Sequence, residues 1–252
     1  MRILFVTLKN SFFGQKRKPW VSIDTPAFIR LLEENGHGIE HIEFADLAKL
    51  AASLEGRTIF YSFSQRPHLR AYIKDIMQLI VRDNRIIPSL DLLLSHENKG
   101  YAELYKQKLG INEFKSYYLS EMDDVKHCDL NYPVVLKTLS GSNAKGVFLC
   151  KSESGLLSRI RGITPSLSPG IRLDALRRRY LRKNRAYAGY PDFEPARDAE
   201  QWLEYMTPGA RFVIQEYIPG LDCDYRVTCV HDRFYLMKRH TRSGDFRASG
   251  TK

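Results

Sequence analysis

The chain has 252 residues, of which 43% are hydrophobic and 27% charged, with four cysteines and a formal net charge of +10. That length and composition suit an ordinary globular protein with a core and room for two modest domains, and they exclude a disordered chain or a disulfide-stapled mini-protein. No apolar run approaches the roughly 18 residues a membrane-spanning helix needs, so the sequence predicts a cytoplasmic protein with no membrane partner.

Residues 2–7 (RILFVT) are an apolar run of strand length, and residues 25–35 (TPAFIRLLEEN) carry helical spacing closed by Gly36. Residues 38–44 return as a strand, and strand, helix and strand in this order fit a parallel βαβ unit. A second round follows, with a strand over 58–63, a helix over 68–81 and a short strand over 85–88. Residues 89–94 read as a turn, and a helix over 100–109 is stopped by Gly110, so the domain boundary is placed near residue 94.

From residue 117 strands dominate, at 117–119, 134–137, 147–150, 212–215, 225–230 and 234–238. Residues 155–209 interrupt two of these strands, 147–150 and 212–215, that are expected to be neighbours, and the interruption reads as an elaboration. It holds the segment 172–185, where seven Arg and Lys stand against one Asp and supply +6 of the net charge. A local basic helix is weaker evidence for nucleic acid than a basic face spread over a fold, so nucleic acid is not the expected partner. Cys128, Cys150, Cys223 and Cys229 show neither a C-x-x-C pair nor zinc-site spacing, and are expected to be reduced and buried as small hydrophobes.

Three stretches carry chemistry. In YPVVLKTLSGSNAKGVFLC (132–150), Lys137 closes a strand and a loop of small residues follows, including Ser140, Gly141, Ser142 and Gly146. A loop without bulky side chains lets backbone N–H groups approach an anion, and a lysine at a strand end adds a fixed charge. Neither G-x-x-x-x-G-K-[ST] nor a G-x-G-x-x-G opening a helix is present, because Gly146 is followed by Val147. A plain β-hairpin with a flexible tip is the alternative for this stretch. In the second stretch, 211–227, an apolar strand runs into Gln215, Glu216, Tyr217 and Ile218 before a Pro-Gly turn. Such a place suits a nucleoside, with backbone groups on the base and a carboxylate on the sugar; a solvated acid at a strand end is the alternative. The third, 234–250, sets Lys238, Arg239, His240, Arg242 and Arg247 among small residues. Cations there suit a transferring phosphoryl group or a carboxylate, against the alternative of a charged surface loop.

Taken in this order, the three stretches resemble the ATP-grasp superfamily, in the branch with bacterial glutathione synthetase and the RimK-type glutamate ligases. The resemblance covers roughly residues 95–252, and QEYIPGLDCDYRV followed by MKRHTRSGDFRASG carries most of it. It implies an α/β (α+β) chain. Residues 1–94 would form a parallel βαβ domain like the one preceding the ATP-grasp domain in relatives, where it helps to hold the non-nucleotide substrate. Residues 95–252 would form the ATP-grasp domain, with an N-lobe over about 95–214 that includes the basic insertion 155–209, and a C-lobe from 215 that is incomplete.

Residue by residue, the resemblance makes Lys99, after Asn98, the first ATP-phosphate lysine and Lys137 the second. Ser140 to Gly146 would be the flap over the phosphates, although its centre, Asn143-Ala144-Lys145, is poorer in glycine than the family's pattern. Gln215, Glu216, Tyr217 and Ile218 would be the hinge that reads adenine, with Asp224 the acid near the ribose and Glu216 its competitor. Arg226, Lys238 and Arg247, the last followed by Ala248-Ser249, would face phosphate or the acyl substrate. Relatives bind Mg2+ through an Asp and a Glu-x-Asn pair beyond this point. Only Asp232 and Asp245 are acidic after Asp224 here, so magnesium ligands are expected beyond residue 252 of a truncated or degenerate member.

The implied activity is an ATP-dependent ligase that joins a small carboxylate to an amine or thiol through an acyl phosphate, chemistry that rests on positioning and charge rather than a protein nucleophile. A homo-oligomer is left open. Three alternatives stand beside it: a nucleotide-sugar glycosyltransferase-like protein, which predicts further βαβ units in the second half; a non-catalytic nucleotide-binding fragment; and a nucleic-acid or anionic-surface binder acting through 172–185.

Overall fold

A computed structural model describes every residue except 16–17, 112–113, 142–144, 182–193, 231, 242–244 and 248–252, and the chain forms two compact units, Met1–Leu109 and Gly110–Lys252. The first holds, in chain order, β1 (Arg2–Thr7), α1 (Thr25–Glu34), β2 (Gly38–Glu43), α2 (Phe44–Leu50), β3 (Thr58–Tyr61), α3 (Pro67–Ile80), β4 (Arg85–Ile87), α4 (Leu90–Ser95) and α5 (Lys99–Lys108). Its sheet has the order β2-β1-β3-β4 with every pair parallel, as the βαβ reading requires.

Central β1 is buried from Ile3 to Val6, as expected of a parallel strand covered on both faces. Alternation sends Leu4 and Val6 to one side, with Ile59, Tyr61 and Met77, and Phe5 to the other, where its ring lies 5.3 Å from Phe13 and 5.8 Å from Phe28. Helix α3 buries Ile73, Ile76, Met77 and Ile80, a stripe at helical spacing, and α1 is capped by Asp24, whose side chain accepts from the Ala27 amide at 2.9 Å. Buried Asn84 ties the elements together: its amide group donates to the Leu54 and Ile80 carbonyls at 2.6 and 2.9 Å, and its carbonyl accepts from the Arg57 amide at 3.0 Å.

Two expectations are corrected here. Residues 89–94 make α4 rather than a turn, because Leu93 has a place in the core and Ser89 stands in the extended conformation that opens a helix. The units part after α5, not near residue 94, since α5 packs on α4 and the Tyr101 hydroxyl donates to Asp91 at 2.6 Å. Helix α2 has only Phe44 and Leu47 as buried anchors, too little periodicity to stand out in sequence.

In the second unit, β5 (Ser116–Leu119), β6 (Val134–Thr138), β7 (Val147–Cys150) and β8 (Phe212–Glu216) form a sheet of order β5-β8-β6-β7 in which every pair is antiparallel. The expected neighbours β7 and β8 are not adjacent. Phe212, Val213 and Ile214 are all buried, so β8 needs cover on both faces and goes between β5 and β6, while part-buried β7 takes the edge. Residues 153–206 contain α6 (Glu153–Ile163), α7 (Pro169–Tyr180) and α8 (Pro195–Met206). Helix α6 is no elaboration, because its Leu156 and Ile160 close the core over Val134, Leu136, Phe212 and Ile214.

The last elements, β9 (Cys223–Val230) and β10 (Arg233–His240), pair as a separate antiparallel ribbon. Among the described residues the second unit has no parallel pair, so the further βαβ units that a glycosyltransferase-like protein requires are not met. None of the four cysteines is in a disulfide; Cys150 is buried as expected, Cys128 and Cys223 are half-buried, and Cys229 is exposed because both faces of the ribbon are largely open. No helix among the described residues is long and apolar enough to cross a membrane.

Asn84→Ala removes the side-chain partner of the Leu54 and Ile80 carbonyls and of the Arg57 amide, of which the Ile80 carbonyl also accepts from the Asp83 amide at 3.4 Å. It is expected to lower stability by about 2–3 kcal/mol, read as a lower urea midpoint at an unchanged m-value.

Candidate active site

The pairing of β6 with β8 sorts the site residues. Val134 and Leu136, with Phe212 and Ile214, point into the core under α6, whereas Val135 and Lys137, with Val213 and Gln215, point to the opposite face. The Lys137 ammonium donates to the Gln215 side-chain carbonyl across the two strands. On the same face, β5 sets Ser116 opposite Gln215 and Tyr118 opposite Val213, and Arg211 donates to the Tyr118 hydroxyl at 3.4 Å. A half-buried lysine at a strand end, fixed by a cross-strand partner, is therefore a feature of the face turned away from α6.

The loop that follows is pinched at its neck. The Thr138 amide donates to the Gly146 carbonyl at 2.8 Å and the Thr138 hydroxyl to the Ser140 carbonyl at 2.9 Å. Gly141 and Gly146 have φ of 125° and 69°, and a Cβ at 146 would stand 1.9 Å from the Thr138 Oγ1. No other residue fits at 146 without moving Thr138. Ser142, with Asn143 and Ala144, lies outside the described residues. Strands β6 and β7 pair as an antiparallel hairpin closed at this neck.

Beyond β8 the chain turns at Pro219-Gly220, where Gly220 has φ 70°. The Glu216 amide donates to the Lys115 carbonyl at 3.0 Å and one Glu216 carboxylate oxygen accepts from the Lys115 amide at 3.4 Å, which leaves its other oxygen without a protein partner among the described residues. The Tyr217 ring meets Phe246 edge-on at 6.2 Å, which brings Arg247, the next residue, close to the end of β8. Ile218 is partly exposed. Arg247 is occupied by its own neighbour, donating to Asp245 at 2.8 and 2.9 Å.

On the ribbon, Asp224 and Arg239 stand directly opposite and form a bidentate pair at 2.6 and 2.6 Å. Arg226, paired with Met237, shares the face of Asp224 and Arg239; Lys238, paired with Tyr225, shares the other with His240. Two cations expected to act together thus project from opposite faces of one ribbon. Arg239 has a role the sequence reading did not assign. The short connection between Val230 and Arg233 fixes the register that brings it to Asp224, so locating that turn first would have found the pair.

No protein-family model matches this sequence, and no curated protein does. Solved structures do match. A RimK domain ATP-grasp protein from Sphaerobacter thermophilus is 12% identical, with a TM-score of 0.41 over 89% of this chain and 68% of that one. D-cycloserine synthetase DcsG is 13% identical, with a TM-score of 0.41 over 87% of this chain and 61% of that one. N5-carboxyaminoimidazole synthetase from Staphylococcus aureus, complexed with ADP, is 13% identical, with a TM-score of 0.44 over 96% and 54%. No role is taken from likeness at this level, and the residues are read from their own geometry.

Lys99 belongs to the first unit, where it is the first residue of α5 behind the cap Asn98, whose side chain accepts from the Tyr101 amide at 3.1 Å. Burial holds its pKa below the ordinary lysine value. A cation at a helix N-terminus also opposes the helix dipole, so both effects favour an anion beside it. For magnesium the donor set does not fit: among the described residues no three of His, Cys, Asp and Glu come together, and Asp224 and Asp245 are each held by an arginine.

Gly146→Ala is expected to destabilise the protein, and adding Thr138→Ala should recover only part of the loss, since about 1 kcal/mol of backbone strain at positive φ persists. Thermal melts of the two variants and their combination read this directly; full additivity would show that the neck contact is absent.

Proposed function

We propose that the chain binds ATP at the Lys137 face of the second unit's sheet, and that it serves an ATP-dependent ligase which joins a carboxylate to an amine or thiol. One observation carries the reading: Lys137 is fixed on the face away from the core, beside Gln215, at the mouth of a loop whose neck accepts only glycine at 146. A placed cation beside a loop of small residues suits phosphate oxygens.

Lys137 and the backbone at Ser140, Gly141 and Gly146 bind the phosphates; Gln215 to Ile218 read the adenine edge. Glu216, with one oxygen unengaged, accepts from the ribose in preference to Asp224, whose two oxygens meet the Arg239 fork.

In the reaction, a carboxylate oxygen attacks the γ-phosphorus and the bond to the bridging oxygen breaks to release ADP. The amine or thiol then attacks the acyl carbon and expels phosphate. Proximity and charge neutralisation carry both steps. Because Arg226 and Lys238 occupy opposite ribbon faces, only one of them meets the phosphoryl group.

Lys137→Ala should weaken ATP binding about tenfold or more, the worth of one charge-assisted hydrogen bond, and Lys145→Ala should change it little. Calorimetric titration with ATP compares them, and equal losses would remove the phosphate site from this face. ADP release is expected to depend on both an acid and an amine or thiol; ATP binding with no acid-dependent release from any such pair would keep the nucleotide site and discard the ligase.

A further inference from the structure

We propose that the α7–α8 pair is a docking surface for an anionic lipid bilayer. These helices pack chiefly on one another. The inward cation is Arg178, whose guanidinium lies 4.5 Å above the Trp202 ring, 3.1 Å from Asp174 and 3.7 Å from Asp198. At about 100° per residue, the side of α7 opposite Arg178 presents Leu173, Leu176 and Tyr180, with Arg172 and Arg179 along one border and Arg177 along the other. The exposures agree with that wheel: Leu173 is 69%, Leu176 55% and Tyr180 70% exposed, the three bordering arginines are exposed, and Asp174, Ala175 and Arg178 are not.

This is an apolar stripe edged by cations, and its chemistry selects the partner. Nucleic acid would engage the arginines and leave the leucines in water. An anionic bilayer uses both, because the leucines and the tyrosine ring enter the headgroup–acyl boundary while the arginines extend along it to lipid phosphates. On α7 the exposed cations Arg172, Arg177 and Arg179 stand against the single half-buried Asp174. The surface is separate from the proposed ATP site, so the two readings stand or fall independently.

The test is co-sedimentation of the full chain with vesicles of phosphatidylcholine, or of phosphatidylcholine and phosphatidylserine in equal parts. Binding is expected only to the mixed vesicles, weakening as salt rises. Each of Arg172→Gln, Arg177→Gln and Arg179→Gln should cost about fivefold, and Leu173→Ser with Leu176→Ser about tenfold or more, with an unchanged circular dichroism spectrum because both leucines are exposed. No binding of the wild type to mixed vesicles at low salt overturns the proposal. So does binding that survives the leucine changes, which together with an oligonucleotide-retention signal lost in the arginine variants would assign the surface to nucleic acid. Should the leucine variant unfold, Tyr180→Trp reads insertion directly: its emission should shift to the blue on mixed vesicles, and no shift overturns the idea.

Discussion

The burial of β8 on both faces organises the second unit. Phe212 and Ile214 close the core with α6, Val213 is buried on the other side, and a strand with such needs must have a neighbour at each edge. Its insertion between β5 and β6 sets the register that puts Gln215 within reach of Lys137 and leaves Glu216 at the strand end, bonded to the Lys115 backbone. The position of the candidate phosphate lysine is thus a by-product of hydrophobic burial several residues away. Moving β8 by one residue would turn Lys137's partner into the core and Phe212 out of it.

Electrostatics then ties several of the second unit's cations into the structure. Arg239 is taken by Asp224, Arg247 by Asp245, and Arg178 by Trp202 and two aspartates. These pairs are partly exposed, and each contributes modestly to stability. What they do more reliably is fix orientation: the ribbon register, the segment beside Tyr217 and the α7–α8 contact each have one. Lys137 is held differently, by the neutral side-chain carbonyl of Gln215 across the sheet.

Legibility in the sequence followed the kind of signal. The parallel strands of the first unit are short apolar runs separated by strongly periodic helices, and residues 2–7, 38–43 and 147–150 lie where the pattern puts them. Helices α2 and α4 have too few buried anchors for a period to show. The strand order of the second sheet was hidden because pairing depends on which strand needs cover on two faces, and adjacency along the chain does not report that. At the site, Lys137 and Gln215 were legible as strand ends and Gly146 as one of a loop of small residues, whereas the Thr138 contact that bars a side chain at 146 was not. That Arg226 and Lys238 face apart was not, because facing on a ribbon depends on a register set by its turn.

The pinched neck at Thr138 and Gly146 has a consequence for how the loop can change. Both ends of the connection are fastened there, by a backbone bond on one side and a hydroxyl bond on the other. Closing a longer connection between fastened ends adds only a small entropic cost. Chain can therefore be added or exchanged beyond the fastening while the lysine on β6 keeps its place, so ligand selectivity at the rim is free to drift without disturbing the anchor beneath it.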